Sequence, residues 1–141
     1  MRILSLAELT SWVQTHVPHG VAMAILFAGD RLSCVDEAVG LEVDDEVVGV
    51  ATIAPEGEQL SGEPTIVAIY VRSEFRKRGL GRTLLMVAID RCRERGLVPV
   101  RMDALTTPAL RAAENMPEDY RQDLRLVDAS SEGTLDAMFL E

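Results

Sequence analysis

The most constraining feature of the sequence is a junction between an apolar strand and an apolar helix. Ile66–Val71 is a nearly continuous apolar run of strand length that begins after Pro64. Arg82–Arg95 repeats its apolar residues at helical spacing, and Gly96 follows where a left-handed cap would lie. Between the two stands Arg76–Gly81, which reads RKRGLG. The junction predicts a glycine loop that leads from the end of a buried strand into a helix.

A helix N-terminus that follows a glycine loop is suited to binding a phosphate group. The first N–H groups of a helix lack intrahelical partners, and the helix dipole adds partial positive charge there. Gly79 and Gly81 have no Cβ to obstruct a ligand. Arg76, Lys77 and Arg78 add charge at the rim. A plain turn that uses glycine for its dihedral angles is the alternative interpretation.

Several ligand classes are disfavoured by the sequence. Leu84 stands where a dinucleotide fingerprint needs its third glycine, and no Gly-Lys-Ser/Thr follows, as a Walker motif would require. Arg72 to Arg101 contains nine basic and three acidic residues, whereas the chain as a whole has a net charge of −9. A basic patch in an acidic chain favours a small anionic ligand and argues against nucleic acid, which the remainder would repel.

The remaining pattern predicts one domain over residues 1–141, because the chain has the usual length for one core. The strand, loop, helix, strand order around the glycine loop predicts parallel pairing. The other predicted strands are Met1–Leu4, Val98–Met102 and Leu135–Leu140, and Val39–Val43 with Glu46–Ala54 is predicted to form a hairpin. Two further helices are predicted: one from Ser5 to about Val17, with a Ser5 and Glu8 capping box, and a buried one over Val21–Ala28.

Neither export nor membrane insertion is predicted. The longest apolar run, Val21–Ala28, is far short of the roughly 18 residues of a membrane helix. The N-terminus has no basic stretch followed by an apolar one. Cys34 and Cys92 are the only cysteines, and Cys92 lies in an apolar helix, which favours reduced thiols over a disulfide. A cytoplasmic location without a membrane partner is therefore predicted.

The glycine loop resembles the signature of the GNAT superfamily of N-acetyltransferases, which is Gln or Arg, two residues, Gly, one residue, then Gly or Ala. The resemblance runs from about Ile66 to Asp103, and the order of the upstream elements is also similar. It implies an α/β (α+β) fold, with a mixed central sheet of about six strands and helices on both faces. It also implies acetyl-CoA as cosubstrate and no metal.

In this family the strand before the loop splays from its neighbour, so its backbone would bind the cofactor arm as an added strand would. By this alignment the Ile69 N–H would polarise the thioester carbonyl and stabilise the oxyanion of the tetrahedral intermediate. Backbone N–H groups of Arg78, Gly79, Gly81 and Arg82 would bind the pyrophosphate. The implied cofactor-binding residues are Ile69, Val71, Arg76, Lys77, Arg78, Gly79, Leu80, Gly81, Arg82 and Thr83.

Acyl transfer to an amine also needs a base for the amine proton. Some family members carry a Glu six residues before the position that Val71 matches, and this chain has Thr65 there. Glu63, two residues earlier, is the candidate base, and Glu42 or Asp103 acting through water are alternatives. A simple solvated carboxylate is the other interpretation of each.

An acid usually protonates the leaving thiolate, and the family often supplies it as a tyrosine. The family position falls on Ala113, and Tyr120 is the only tyrosine further along. Tyr120 is therefore the candidate acid, although Pro117 is expected to separate it from the helix that contains Ala113. An ordinary half-buried aromatic is the alternative.

The resemblance implies transfer of an acetyl group from acetyl-CoA to a primary amine by direct attack. The acidic remainder of the chain favours a cationic acceptor, which would be a small molecule or a peptide amine. A regulatory or partner module that binds acyl-CoA with little or no catalysis is the first alternative, and a structural domain is the second. The terminal strand Leu135–Leu140 leaves a homodimer possible.

Overall fold

The computed structural model describes residues 1–18, 35–57, 62–104 and 107–128. No helix among these residues has the length and apolar character needed to cross a membrane. In chain order, the elements are β1 (Arg2–Ser5), α1 (Leu6–His16), β2 (Glu37–Val43), β3 (Glu46–Ala54), β4 (Thr65–Val71), a 3₁₀ turn (Ser73–Phe75), α2 (Leu80–Glu94), β5 (Val100–Ala104), α3 (Thr107–Glu114), α4 (Glu118–Arg121) and β6 (Leu124–Asp128).

The described strands form one mixed sheet in the order β1-β2-β3-β4-β5-β6. Strands β1 to β4 are antiparallel, and β4, β5 and β6 are parallel. Asp44 and Asp45 join β2 to β3 with φ angles of 53° and 64°, the conformation that a tight two-residue hairpin turn requires. The predicted hairpin, the parallel unit and the six-stranded mixed sheet are confirmed.

Helices α1 and α2 pack on opposite faces of the sheet, as predicted. Leu9 and Val13 of α1 are fully buried against one face. Ser5 begins α1 with the expected capping box, because its hydroxyl accepts from the Glu8 N–H and the Glu8 carboxylate accepts from the Ser5 N–H. The buried stripe of α2 covers the other face, and each of its leucines stabilises the fold by about 1.5–3 kcal/mol. Its members are Leu84, Leu85, Ala88, Ile89 and Cys92.

A bulge in β4 opens the sheet between β4 and β5. The register with β3 pairs Thr52 with Ala68 but Ile53 with Ile66, which leaves Val67 as an extra residue on β4. A bulge bends its strand and increases the local twist. Beyond this point no further pairing joins β4 to β5 in the described residues, and Ile66 opposite Met102 is the last pair. The C-terminal half of β4 therefore borders a gap.

The structure differs from the sequence predictions at strands β5 and β6. Strand β6, Leu124–Asp128, lies where the sequence predicts no strand. Its alternation of apolar and charged residues is too short to indicate a strand, and the strand forms by pairing with β5. Strand β5 begins at Val100, two residues later than expected. The predicted helix Val21–Ala28, the predicted strand Leu135–Leu140 and Cys34 lie outside the described residues.

Candidate functional site

A cavity of about 1060 Å³ follows the gap between β4 and β5 to the N-terminus of α2. Its walls come from the end of β4, the 3₁₀ turn, the glycine loop, the first turn of α2 and helix α3. The volume is at the upper end of the range for small-molecule sites, roughly 300–1,000 Å³. Eight of the ten predicted cofactor residues lie in these walls: Ile69, Val71, Arg76, Lys77, Gly79, Leu80, Gly81 and Arg82.

The glycine loop turns sharply into α2. Lys77 and Gly79 both have positive φ angles, of 64° and 73°. Gly79 is the N-cap of α2, and no side chain caps the helix. The first main-chain bond within the helix is donated by the Thr83 N–H to the Gly79 carbonyl, at 3.3 Å. The N–H groups of the residues between them lack intrahelical acceptors, so they are available to an anion.

The two glycines of the loop have different roles. Gly79 adopts a left-handed conformation, which a residue with a Cβ reaches only at a cost of about 1–2 kcal/mol. Gly81 has ordinary helical geometry, and a Cβ added there meets no protein atom within 4 Å. Because Gly81 lines the cavity, a larger side chain at this position would project into cavity space. The site therefore fits a ligand that approaches the backbone closely.

Backbone groups of β4 alternate between β3 and the gap. The Arg72 N–H donates to the Val48 carbonyl at 2.8 Å, so the backbone of every second residue before it points to β3. The intervening residues, Ile69 and Val71, direct their backbone groups to the gap. The Val71 carbonyl accepts from Nε of Arg76 at 2.9 Å. The Ile69 backbone and the Val71 N–H thus face the cavity, as an added strand would require.

Arginine side chains fasten the loop to the end of β4. Besides its bond to Val71, Arg76 places its guanidinium 5.1 Å from the ring centroid of Tyr70. Arg78 lies 5.3 Å from the ring centroid of Phe75 in the 3₁₀ turn. Such cation–π contacts contribute about 0.5–1 kcal/mol at exposed sites. Arg78 and Thr83 are the two predicted cofactor residues that do not line the cavity.

Most of the described basic residues that lack a carboxylate partner are gathered at this cavity. Seven arginines in the described residues form ion pairs: Arg2, Arg72, Arg91, Arg93, Arg95, Arg101 and Arg125. The described basic residues with no carboxylate within ion-pair distance are Arg76, Lys77, Arg78, Arg82, Arg111 and Arg121. Four of these six line the cavity, Arg78 adjoins it, and no Asp or Glu is among the described lining residues. The cavity is therefore suited to an anion.

Glu63, the predicted base, lies at the other end of β4 from the cavity. Its carboxylate pairs with the guanidinium of Arg125 and lies 3.5 Å from Nη1 of Arg101. The hydrogen bond from Arg125 lowers the pKa of Glu63, which weakens it as a base. Glu42 lies on β2, 4.0 Å from the N-terminal amine. Neither residue lines the cavity, and the side chain of Asp103 is outside the described residues.

Tyr120, the predicted acid, is also away from the cavity lining. Its hydroxyl donates to Oδ2 of Asp90 at 3.1 Å, and the guanidinium of Arg93 lies 4.4 Å from its ring centroid. Burial, followed by the bond to Asp90, raises the pKa of Tyr120. Pro117 begins α4 and separates Tyr120 from α3, as expected. These contacts tie α4 to the outer surface of α2.

Five cavity residues are absent from the sequence predictions. Ser73 and Phe75 come from the 3₁₀ turn, and Arg111, Ala112 and Asn115 come from α3 and its end. The four-residue spacing of Arg111 and Asn115 is the signal that places both on one helix face. Ala113, at the family's tyrosine position, is instead buried in the core that α2 shares. Among the described residues, no group of three or more His, Cys, Asp or Glu could hold a metal ion.

Comparisons with known proteins agree with this geometry. The sequence model of the acetyltransferase (GNAT) family matches residues 6–117. The crystal structure of a ribosomal-protein-alanine N-acetyltransferase from Brucella melitensis biovar Abortus 2308 has a similar fold, with a TM-score of 0.52 and 22% identity over 85% of this chain and 83% of that chain. No curated protein matches the sequence. Because the family match spans most of the chain, the protein belongs to the GNAT family of acetyltransferases.

Proposed function

We propose that the protein transfers an acetyl group from acetyl-CoA to a primary amine. The observation that carries the proposal is the continuity of the cavity, which joins the gap-facing backbone of β4 to the glycine loop. A ligand with an extended amide-containing arm and a pyrophosphate matches both parts, since the first offers strand-like hydrogen bonds and the second offers helix N–H groups. Family membership supports acyl transfer as the chemistry.

When bound, acetyl-CoA supplies an acetyl group activated as a thioester. In our proposal the N–H groups at the start of α2 hold the pyrophosphate, and the unpaired cations around the loop add to its binding. The backbone of Ile69 and Val71 holds the pantetheine arm. The Ile69 N–H polarises the carbonyl and stabilises negative charge on its oxygen during attack. A bond from the amine nitrogen to the carbonyl carbon forms, and the carbon–sulfur bond breaks, so that CoA leaves as a thiolate with the electron pair of that bond and takes a proton from water.

Proton transfer in this proposal is assigned to water. The polar side chains in the lining that carry no charge are those of Ser73 and Asn115, and neither is a base near neutral pH. The positions of Glu63 and Tyr120 lend no support to their predicted roles. We therefore propose that the acceptor attacks as a neutral amine and loses its proton to water. The value of kcat/KM should then rise with pH until the acceptor amine is deprotonated.

The proposed acceptor is a small-molecule or peptide amine, and the proposed location is the cytoplasm. One structurally similar protein is a ribosomal-protein-alanine N-acetyltransferase, so peptides with an N-terminal alanine belong in the first panel of acceptors. A module that binds acyl-CoA with little catalysis is the second candidate. The core position of Ala113 and the absence of Asp, Glu, His and Tyr from the described lining residues favour it.

Two measurements test the proposal. Calorimetry with acetyl-CoA should show binding to the full chain, and incubation with a panel of amines should release free thiol. Absence of binding would refute the acetyl-CoA site. Binding without thiol release across peptides, polyamines and aminoglycosides would favour the module over the enzyme.

A further inference from the structure

We infer that Arg111 is a specificity-determining residue that binds the 3′-phosphate of the CoA nucleotide. The inference rests on the proposed function, because it names the partner of one residue in the proposed acetyl-CoA site. Arg111 belongs to α3, whereas the groups available to the pyrophosphate belong to the glycine loop and α2. The cavity therefore has a cation on a second element, separate from the pyrophosphate-binding backbone.

No structural role within the described residues accounts for the Arg111 side chain. It is exposed, and it has no carboxylate within ion-pair distance there. An arginine in the last turn of a helix often serves the helix carbonyls. At the end of α3, however, the Glu114 carbonyl accepts from Nη1 of Arg121 at 3.3 Å. Arg121 thus performs the structural task, and Arg111 remains free to contact a ligand.

The neighbours of Arg111 are suited to a phosphate. Asn115 lies one turn later and also lines the cavity, so its amide group adds a donor to the same face of α3. Ala112 also lines the cavity, and its side chain has no polar group. A guanidinium binds two phosphate oxygens through its planar fork, whereas an ammonium binds as a point charge.

CoA presents anionic groups at two separate positions, and the cavity presents cations on two separate elements. A phosphomonoester carries about −1.5 to −2 charges at neutral pH, whereas each phosphate of the pyrophosphate carries about one, so the 3′-phosphate is the most charged single phosphate of the nucleotide. An ion pair between the 3′-phosphate and a cation of the cavity would therefore be the strongest single interaction available to the nucleotide. If Arg111 pairs with the 3′-phosphate while the glycine loop and α2 bind the pyrophosphate, each anionic group of CoA has a cationic partner.

Binding of acetyl-CoA and acetyl-3′-dephospho-CoA to the full chain, measured by calorimetry, tests the inference. The wild type should bind the dephospho compound about tenfold more weakly. Arg111→Ala should weaken binding of acetyl-CoA by about tenfold and leave the dephospho compound unchanged. Arg111→Lys should retain part of the discrimination, since it keeps the charge but loses the fork. Arg121→Ala removes the same charge nearby and should leave both affinities unchanged.

Other outcomes would overturn the inference. An Arg111→Ala protein that binds both compounds as the wild type does, or loses affinity for both equally, excludes a specific contact with the 3′-phosphate. Unchanged cofactor affinities with a raised KM for acidic acceptors would assign the guanidinium to the acceptor instead. Arg111→Gln, checked for folding by thermal unfolding, repeats the test if the Ala variant is unstable. If the wild type binds neither compound, the proposed function itself fails.

Discussion

Gly81 is the single residue whose substitution best separates folding from ligand binding. We expect Gly81→Leu to leave the free energy of unfolding unchanged or to raise it by up to about 0.5 kcal/mol, because leucine is the better helix former. The same change should weaken acetyl-CoA binding at least about tenfold, since the side chain enters the cavity. Urea unfolding and calorimetry measure the two effects.

Two further glycine variants control this experiment. Gly81→Ala adds one methyl group, which meets no protein atom, and the family signature accepts Ala there, so binding should be retained. Gly79→Ala should instead lower stability by about 1–2 kcal/mol, because its φ of 73° is unfavourable for alanine. Unchanged acetyl-CoA affinity in Gly81→Leu would show that the ligand does not approach this backbone.

Tyr120 offers a test of the acid at the residue scale. Its hydroxyl is bonded to Asp90 and lies away from the cavity lining. Tyr120→Phe should therefore lower the free energy of unfolding by about 1–2 kcal/mol while changing kcat by less than about twofold. A large loss of kcat at unchanged stability would instead identify Tyr120 as the acid. Asp90→Asn, which keeps an acceptor for the hydroxyl, is the matched control for the stability effect.

Among the elements, α2 carries a buried thiol that makes stability depend on pH. Cys92 is fully buried, and burial raises its pKa from 9.0 to about 11. The thiol ionises at lower pH in the unfolded chain than in the folded protein. Its contribution to the free energy of unfolding is therefore complete below pH 9 and is lost as pH rises towards 11. The loss is of the order of 2 kcal/mol.

Urea unfolding at about pH 7, 9 and 10 measures this effect. The Cys92→Ala protein should have a lower free energy of unfolding than the wild type at about pH 7, because the substitution leaves a small cavity. Its free energy of unfolding should fall less than that of the wild type as pH rises. Equal pH dependence in the two proteins would show that another group is responsible. Tyr120 has a raised pKa as well, so Tyr120→Phe serves as the second reference.

The elements also show which parts of the molecule local sequence can predict. The sequence predicts β3 with its observed bounds and β4 to within one residue, because both are runs of β-branched and apolar residues bounded by turns. It misses β6, in which Arg125 interrupts the apolar residues and pairing with β5 supplies the order. Nor does the sequence predict Arg111 as a cavity residue, since only the tertiary packing of α3 decides which of its faces lines the cavity.

At the scale of the whole molecule, the distribution of paired and unpaired charges predicts a strong salt dependence. Raising NaCl from about 50 mM to about 500 mM shortens the Debye length from about 14 Å to about 4 Å. If acetyl-CoA binds as proposed, its affinity should fall about tenfold or more, because its phosphates would contact exposed cations of the cavity. Arg82→Ala should flatten the dependence, and Arg2→Ala, which removes an arginine paired with Glu8, should not. An affinity independent of salt would contradict the charge argument.

The bulge in β4 has a consequence for hydrogen exchange. Although β4 is an interior strand, the amides of Ile69 and Val71 point into the gap, while the amide of Arg72 is bonded to β3. In the free protein, deuterium uptake along β4 should therefore alternate from residue to residue, fast at Ile69 and Val71 and slow at Tyr70 and Arg72. Acetyl-CoA should abolish the alternation by slowing the fast amides. The described part of the sheet thus leaves backbone groups along the end of β4 open to an extended ligand that lies beside the strand.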